Sequence, residues 1–329
     1  MKTGIYGAGQ WGDVFYRVIS KYEKIDFFAD KHKTGKFYDI PIISPYEIPN
    51  KSKIYNSVAT YEDEVFEDLK GKNLISFVET LKKYPDITNE FYKDNYLWLS
   101  GKLLDDRLKD VRELLKDQIS LDFFDKWVKF RETFDMKYYP YPTNTLKEQY
   151  FIDEFKYSKR YVDCGAFDGD SVLRYFEFNK DGMSIAFEPD IKNLKKCNKN
   201  LKNKNVLIYP LGIYSKTTIF KFNPLGSGGS ISKVGEVEVA VTSLDETVYN
   251  FRPDYIKMDI ECAESEAIKG AENIIKDFSP NLAISIYHKA SDLWEIPLLI
   301  KEINPNYEFK IRCHNHLCLE TILYCKVKK

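Results

Sequence analysis

From residue 161 onward the chain alternates short apolar runs with amphipathic helical stretches, and this alternation forces parallel strands joined by right-handed crossovers. The apolar runs are Tyr161–Cys164, Ser184–Glu188, Val206–Tyr209, Tyr255–Asp259, Leu282–Tyr287, Tyr307–Arg312 and Thr321–Val327, which predicts seven strands. Between the fourth and fifth, Ala267, Ile268, Ala271, Ile274 and Ile275 recur at helical offsets and make a stripe that covers one sheet face. No helix-length segment separates the sixth run from the seventh, so these two should pair as an antiparallel hairpin. The fold class expected here is α/β, with a seven-stranded, mostly parallel sheet whose last strand is antiparallel.

The first half begins in the same way. A short strand leads into Gly7-Ala8-Gly9-Gln10-Trp11-Gly12, and a second strand, Ile25–Ala29, ends in Asp30. The spacing is that of a Rossmann-like nucleotide site, with Gly7, Gly9 and Gly12 letting backbone approach a diphosphate and Asp30 placed for ribose hydroxyls. Further on, Leu108, Val111, Leu114 and Leu115, then Leu121, Phe124, Trp127, Val128 and Phe134, predict at least two helices. Tyr138-Tyr139-Pro140-Tyr141-Pro142-Thr143-Asn144 bars both helix and central strand and predicts a link. Two domains follow, residues 1–144 and 145–329.

Composition narrows the function. The 329 residues include 43% hydrophobic and 15% aromatic side chains, enough for two cores, and 49 basic residues balance 50 acidic ones. A net charge of −1 gives no field for polyanions, so no nucleic-acid partner is expected. No apolar run approaches the roughly 18 residues of a membrane span. The six cysteines lie in the second half, several inside apolar runs, which suits free thiols and a cytoplasmic location.

The chemistry concentrates at strand ends. In Asp163-Cys164-Gly165-Ala166-Phe167-Asp168-Gly169-Asp170-Ser171 small residues stand where a strand turns into a helix, and Phe167 replaces the middle glycine of a dinucleotide fingerprint. An NAD site is disfavoured there. The next strand ends in Glu188-Pro189-Asp190, where a carboxylate accepts both hydroxyls of a ribose. Asp163, Glu188, Asp259 and His288 all follow apolar runs, and in an open parallel sheet such ends share one crevice.

These segments, together with Ser243-Leu244-Asp245-Glu246 and Ile256-Lys257-Met258-Asp259-Ile260-Glu261-Cys262-Ala263-Glu264, resemble the FkbM-type methyltransferase family over about residues 145–329. The resemblance implies a class I methyltransferase fold and an S-adenosylmethionine-dependent O-methyltransferase acting on a hydroxyl of a sugar, glycan or related natural-product acceptor. It implies that Asp163, Gly165, Ala166, Phe167, Asp168, Gly169 and Ser171 line the cofactor, that Glu188 with Pro189 holds its ribose, and that Gly212 borders its adenine. Asp259 and Glu261 match the acidic residues of the family's D-x-E-G-x-E element, in which Cys262 here replaces the glycine.

For catalysis, His288 is the general-base candidate, because an imidazole of pKa ~6.5 takes a proton near neutral pH. Asp259 either orients that histidine or accepts the proton itself. No metal is expected: Asp259, Glu261 and Glu264 are read as acids at a helix start, favoured by its dipole. Strand alternation aims Cys313 away from His314, His316 and Cys318, against a zinc site. In the class I order the sixth strand is expected beside the fifth, which would bring one of these histidines to the crevice rim. Leu225–Ser232, with three glycines, is expected as a hairpin loop between two strand-like segments. Two alternatives are an NAD-linked oxidoreductase or epimerase centred on the first domain, and a non-catalytic nucleotide-binding scaffold. A homo-oligomer is compatible with each.

Overall fold

A computed structural model of the chain describes residues 1–59, 62–88, 90, 106–133, 135–223, 230–231 and 237–327. Two compact units emerge, one of Met1–Leu103, Lys126–Pro140 and Asn315–Leu317, the other of Leu104–Asp125, Tyr141–His314 and Cys318–Lys329. The chain crosses between them five times, once at Pro140–Tyr141 inside the proline-rich link, so neither unit is the single continuous segment expected from a division at 144 and 145. Segment 104–125 groups with the second unit for a physical reason. The helix Arg107–Leu114 buries Leu108 and Val111 and packs on the helix Asp292–Ile303. Just beyond it, Ser120 Oγ accepts from Ile311 N at 2.9 Å and Arg312 Nη1 at 2.8 Å, while Asp117 pairs with Arg312 at 2.9 Å.

The first unit holds six strands: β1 (Thr3–Tyr6), β2 (Phe27–Ala29), β3 (Gly35–Phe37), β4 (Ile40–Ile43), β5 (Lys53–Asn56) and β6 (Asn73–Ile75). They lie in the order β3-β4-β2-β1-β5-β6, all parallel except the β3–β4 hairpin. The helix Gln10–Ile19 follows β1 and buries Val14, Phe15, Val18 and Ile19. Its start explains two glycines. A Cβ on Gly12 would stand 2.1 Å from Gly7 O, and Gly7 itself has φ +99°. Gly9, in contrast, faces nothing within 4 Å.

The second unit is built on β7 (Arg160–Cys164), β8 (Met183–Phe187), β9 (Val206–Tyr209), β14 (Tyr255–Met258), β15 (Asn281–Ser285), β16 (Tyr307–Cys313) and β17 (Thr321–Val327). The order is β16-β17-β15-β14-β7-β8-β9, with β17 antiparallel to both its neighbours and the other pairs parallel. The expected seven strands are therefore present. The placement of the sixth differs: the crossover through the helix Asp292–Ile303 sets β16 one strand away from β15, and β17 returns between them, antiparallel to both. His314 is correspondingly buried away from the rim, sharing its ring nitrogens with Thr145 O at 2.8 Å and Tyr324 OH at 3.0 Å.

Four further strands, β10 (Gly212–Ile213), β11 (Thr218–Asn223), β12 (Ser230–Ile231) and β13 (Val237–Thr242), form a separate small sheet in which β11 and β13 pair antiparallel. Of the expected loop Leu225–Ser232, only Ser230 and Ile231 are described, and Phe134 also lies outside the described residues. Among the described residues no helix is long and apolar enough to cross a membrane.

The two glycines of the first turn should respond differently to substitution. Gly12→Ala is expected to lower the urea midpoint despite alanine's helix preference of about 1 kcal/mol, because the clash with Gly7 outweighs it. Gly9→Ala should leave the midpoint unchanged.

Candidate active site

The crevice begins at the C-terminal ends of four adjacent strands, β15, β14, β7 and β8. After β7 the chain turns at Gly165, whose φ is +83° and whose Cβ, if present, would lie 2.0 Å from Asp259 O. Only glycine lets the β7 and β14 ends approach so closely. Gly169, at φ +90°, caps the helix Asp170–Phe178, and a Cβ there would press on Leu201 and Cys197. Between them Phe167 takes φ +48°. Gly165, Phe167 and Asp168 are half-buried, whereas Ala166 and Gly169 are buried, so the turn presents an open edge.

Glu188 stands at the end of β8, only 6% exposed. One carboxylate oxygen accepts Phe167 N at 2.9 Å and the other Asp190 N at 2.8 Å. Burial pushes this carboxyl up to about 7, against the pull of those two N–H groups. Asp190 serves a different end, accepting Lys192 N and Asn193 N as the cap of the helix Ile191–Asn200. Gly212 opens β10 within reach of Pro189, 3.8 Å from where its Cβ would be. The structure thus brings Gly165, Phe167, Glu188, Pro189 and Gly212 to one edge.

Asp163 does not face that edge. It is fully buried and pairs with Lys257 Nζ at 3.0 Å across the β7–β14 register. Ser171 Oγ donates to the same carboxylate, and Lys257 also donates to Gly165 O at 2.6 Å. Burial works to lower the lysine, but the Asp163 and Asp259 carboxylates overcome it and raise it. The aspartate and Ser171 therefore hold the turn from beneath. In the sequence Lys257 stands among apolar residues of a buried strand, and such a lysine calls for an acidic partner.

At the other side of the crevice His288 is enclosed by acids. Its Nδ1 lies 2.9 Å from Glu264 Oε1, and its Nε2 lies 3.3 Å from Asp259 Oδ1 and 3.7 Å from Glu261 Oε2. Burial alone would lower the imidazole; Glu264 and Asp259 outweigh it and hold it well above its ordinary value. An imidazole held protonated by these acids is not the general base that an ordinary value would make it, and its role becomes one of binding and orientation. Asp259, lowered by His288 and Lys257 against the effect of burial, stays ionised. Glu261 is pushed up to about 7 by burial and by Asp259.

Two successive residues here, Glu261 at φ +52° and Cys262 at φ +80°, adopt left-handed backbone. Cys262 does so where the D-x-E-G-x-E pattern has glycine. The cost of such a conformation is about 1–2 kcal/mol.

Tyr150 carried no signal in the sequence. It lies ahead of β7 at φ +65°, with its N–H donating to Tyr324 OH at 2.9 Å and its carbonyl accepting Tyr255 OH. So anchored, its hydroxyl donates to Asp259 Oδ2 at 2.5 Å. Glu320 accepts from Tyr287 OH at 3.0 Å and Gln149 Nε2 at 2.6 Å beside it.

Other segments carry structure. Ser243 and Glu246 form a capping box, and Asp245 accepts Asn273 N and Ile274 N at 2.9 Å each at the next helix start. In the first unit Asp30 accepts Ala8 N at 2.9 Å, His32 N at 2.8 Å and Lys33 N at 3.0 Å, which ties the glycine turn together.

Residues 163–311 match the methyltransferase FkbM domain. No protein of curated function matches the chain in sequence. Among solved structures, an FkbM methyltransferase from Methylobacillus flagellatus KT is 21% identical, covers 98% of this chain and 89% of its own, and superposes with a TM-score of 0.65. That likeness establishes a shared fold. A precorrin-6y C5,15-methyltransferase from Geobacter metallireducens GS-15 shows 13% identity over 52% of this chain and 80% of its own, with a TM-score of 0.35. Aeropyrum pernix fibrillarin, solved with S-adenosyl-L-methionine, shows 9% identity over 54% and 70%, with a TM-score of 0.36. Scores this low carry no conclusion.

Removing the amine from beneath the turn should be costly. Lys257→Met is expected to lose about 3–5 kcal/mol in urea unfolding, because Asp163 is left buried and unpaired. Adding Asp163→Asn should recover most of that loss; equal losses in the single and double variants would disprove the pairing account.

Proposed function

We propose, from the match of residues 163–311 to the methyltransferase FkbM domain, that the chain is an S-adenosylmethionine-dependent O-methyltransferase whose acceptor is a hydroxyl of a sugar, glycan or related natural product. The observation that carries the reading is the edge shared by Glu188 and the Gly165–Gly169 turn. Glu188 spends one lone pair of each oxygen on a backbone N–H, and a carboxylate has further acceptor sites for two ribose hydroxyls. The half-buried Gly165, Phe167, Asp168, Pro189 and Gly212 fit an adenosyl group laid along that edge. Bound there, S-adenosylmethionine supplies an electrophilic methyl group.

The residues themselves contribute position and charge. Lys257 and Asp163 fix the turn, and the Gly165 backbone brings it against Asp259. Asp259, Glu261 and His288 converge at the neighbouring strand ends and bind and orient the acceptor hydroxyl, so that its oxygen displaces the sulfur in line while its proton passes to a carboxylate of this group. Tyr150 holds Asp259 in that orientation. The small charge imbalance of the chain, 49 basic against 50 acidic residues, accords with a small-molecule or carbohydrate acceptor.

Calorimetric titration with S-adenosylhomocysteine, NAD and a nucleotide sugar tests the assignment: S-adenosylhomocysteine alone should bind the second unit's crevice, and tight binding of NAD alone would reverse it. Because ionised Glu188 is the better acceptor and its carboxyl sits at about 7, affinity for S-adenosylhomocysteine should fall as pH drops through neutrality. The expected loss between pH 8 and pH 6 is about tenfold. Glu188→Gln should bind weakly and flatten that dependence.

A further inference from the structure

We propose that His288, Asp259 and Glu261 form a site for one divalent transition-metal ion at the open ends of β14 and β15. The carboxylates alone would be no argument. The histidine supplies a second, separate one: it is only 7% exposed, yet among the described residues its Nε2 finds charge contact with Asp259 and no well-aligned hydrogen bond. That atom is aimed between Asp259 Oδ1, 3.3 Å away, and Glu261 Oε2, 3.7 Å away. A buried polar atom without a hydrogen bond costs about 1–3 kcal/mol, and an ion seated among these three donors removes the cost.

The surroundings are those of a ligand histidine. Nδ1 faces Glu264 Oε1 at 2.9 Å, and that oxygen also accepts Ile260 N at 2.9 Å, so the carboxylate is fixed and the ring with it. Metal binding displaces the proton that the surrounding acids otherwise hold on Nε2, and a histidine whose Nδ1–H is held by a carboxylate then turns that lone pair outward, the arrangement that orients and strengthens a metal ligand. Asp259 is set likewise, because Tyr150 takes Oδ2 and leaves Oδ1 toward His288. Among the described residues, Asp259, Glu264 and His288 have donor atoms within 4.8 Å of one another. Glu264, fully buried on the Nδ1 side, is the orienting carboxylate, and Glu261, on the Nε2 side, is the ligand.

Charge points the same way. Three carboxylates surround one imidazole, and the buried amine nearest the turn, Lys257, pairs with Asp163. Donor separations of 3.3 and 3.7 Å suit a four-coordinate ion with bonds of ~2.0–2.1 Å, whose ligands stand ~3.3 Å apart. One imidazole with two carboxylates favours manganese or zinc over calcium. The Asp259 and Glu261 side chains, 19% and 30% exposed, leave an open position for a water or an acceptor oxygen. The site stands on these residues alone; its use, to acidify an acceptor hydroxyl, rests on the methyl-transfer reading.

Manganese is the probe, since the chain's thiols compete for zinc. Chelator-treated full-length protein titrated with Mn2+, with free Mn2+ followed by electron paramagnetic resonance, should saturate at one ion per chain. Glu261→Gln and Glu264→Gln should each weaken binding at least tenfold. Glu261 is the informative position, being half-exposed: its metal-free variant should melt with the wild type and fail to gain stability when Mn2+ is added. Absence of saturable binding up to about 1 mM, or unchanged binding in Glu261→Gln, would overturn the proposal. So would uptake of Zn2+ alone that Glu261→Gln leaves intact, since that ion would sit on cysteines. S-adenosylhomocysteine binding, measured in parallel, separates the cases: loss of Mn2+ binding alone removes the metal site, and loss of S-adenosylhomocysteine binding alone removes the methyl-transfer reading.

Discussion

The crevice depends on a single buried ion pair. Asp163 and Lys257 sit opposite one another in β7 and β14, both shielded from water, and the lysine reaches past its partner to Gly165 O. A bare charge in such a place would cost several kcal/mol, so neither residue is tolerable without the other. Together they pin the two strands in register and hold the carbonyl end of the turn. The glycine above them then touches Asp259, and this contact sets the distance between the turn edge and the acidic side of the crevice.

That pair also shows where reading a sequence reaches its limit. The second unit's sheet was legible because its strands are short apolar runs separated by amphipathic helices, a pattern that burial on both faces imposes. Glu188, Asp259, Glu261 and His288 were legible as polar residues ending such runs. Their electrostatic states were not, because these depend on which strands become neighbours. His288 looks like an ordinary imidazole until Glu264 and Asp259 are placed around it. Asp163 looks like a crevice residue until Lys257 is seen opposite. Tyr150 was invisible: its left-handed backbone is imposed by two distant tyrosine hydroxyls, which no local pattern announces.

Glycines in the first unit make a similar point. Gly7, Gly9 and Gly12 read as one nucleotide fingerprint, yet the structure gives them unequal reasons to be glycine. Gly12 is required by the helix pressing on Gly7 O, while Gly9 meets open space. Asp30, whose position matches a ribose acceptor, is already engaged by three backbone N–H groups of the neighbouring loops.

Two of the residues around Asp259 and Tyr287 lie outside the stretch that matches the methyltransferase FkbM domain. Tyr150 precedes it and Glu320 follows it, yet both reach its acidic wall, one through Asp259 and the other through Tyr287. Excising the matched stretch would therefore strip the wall of its outer braces while every signature letter survived.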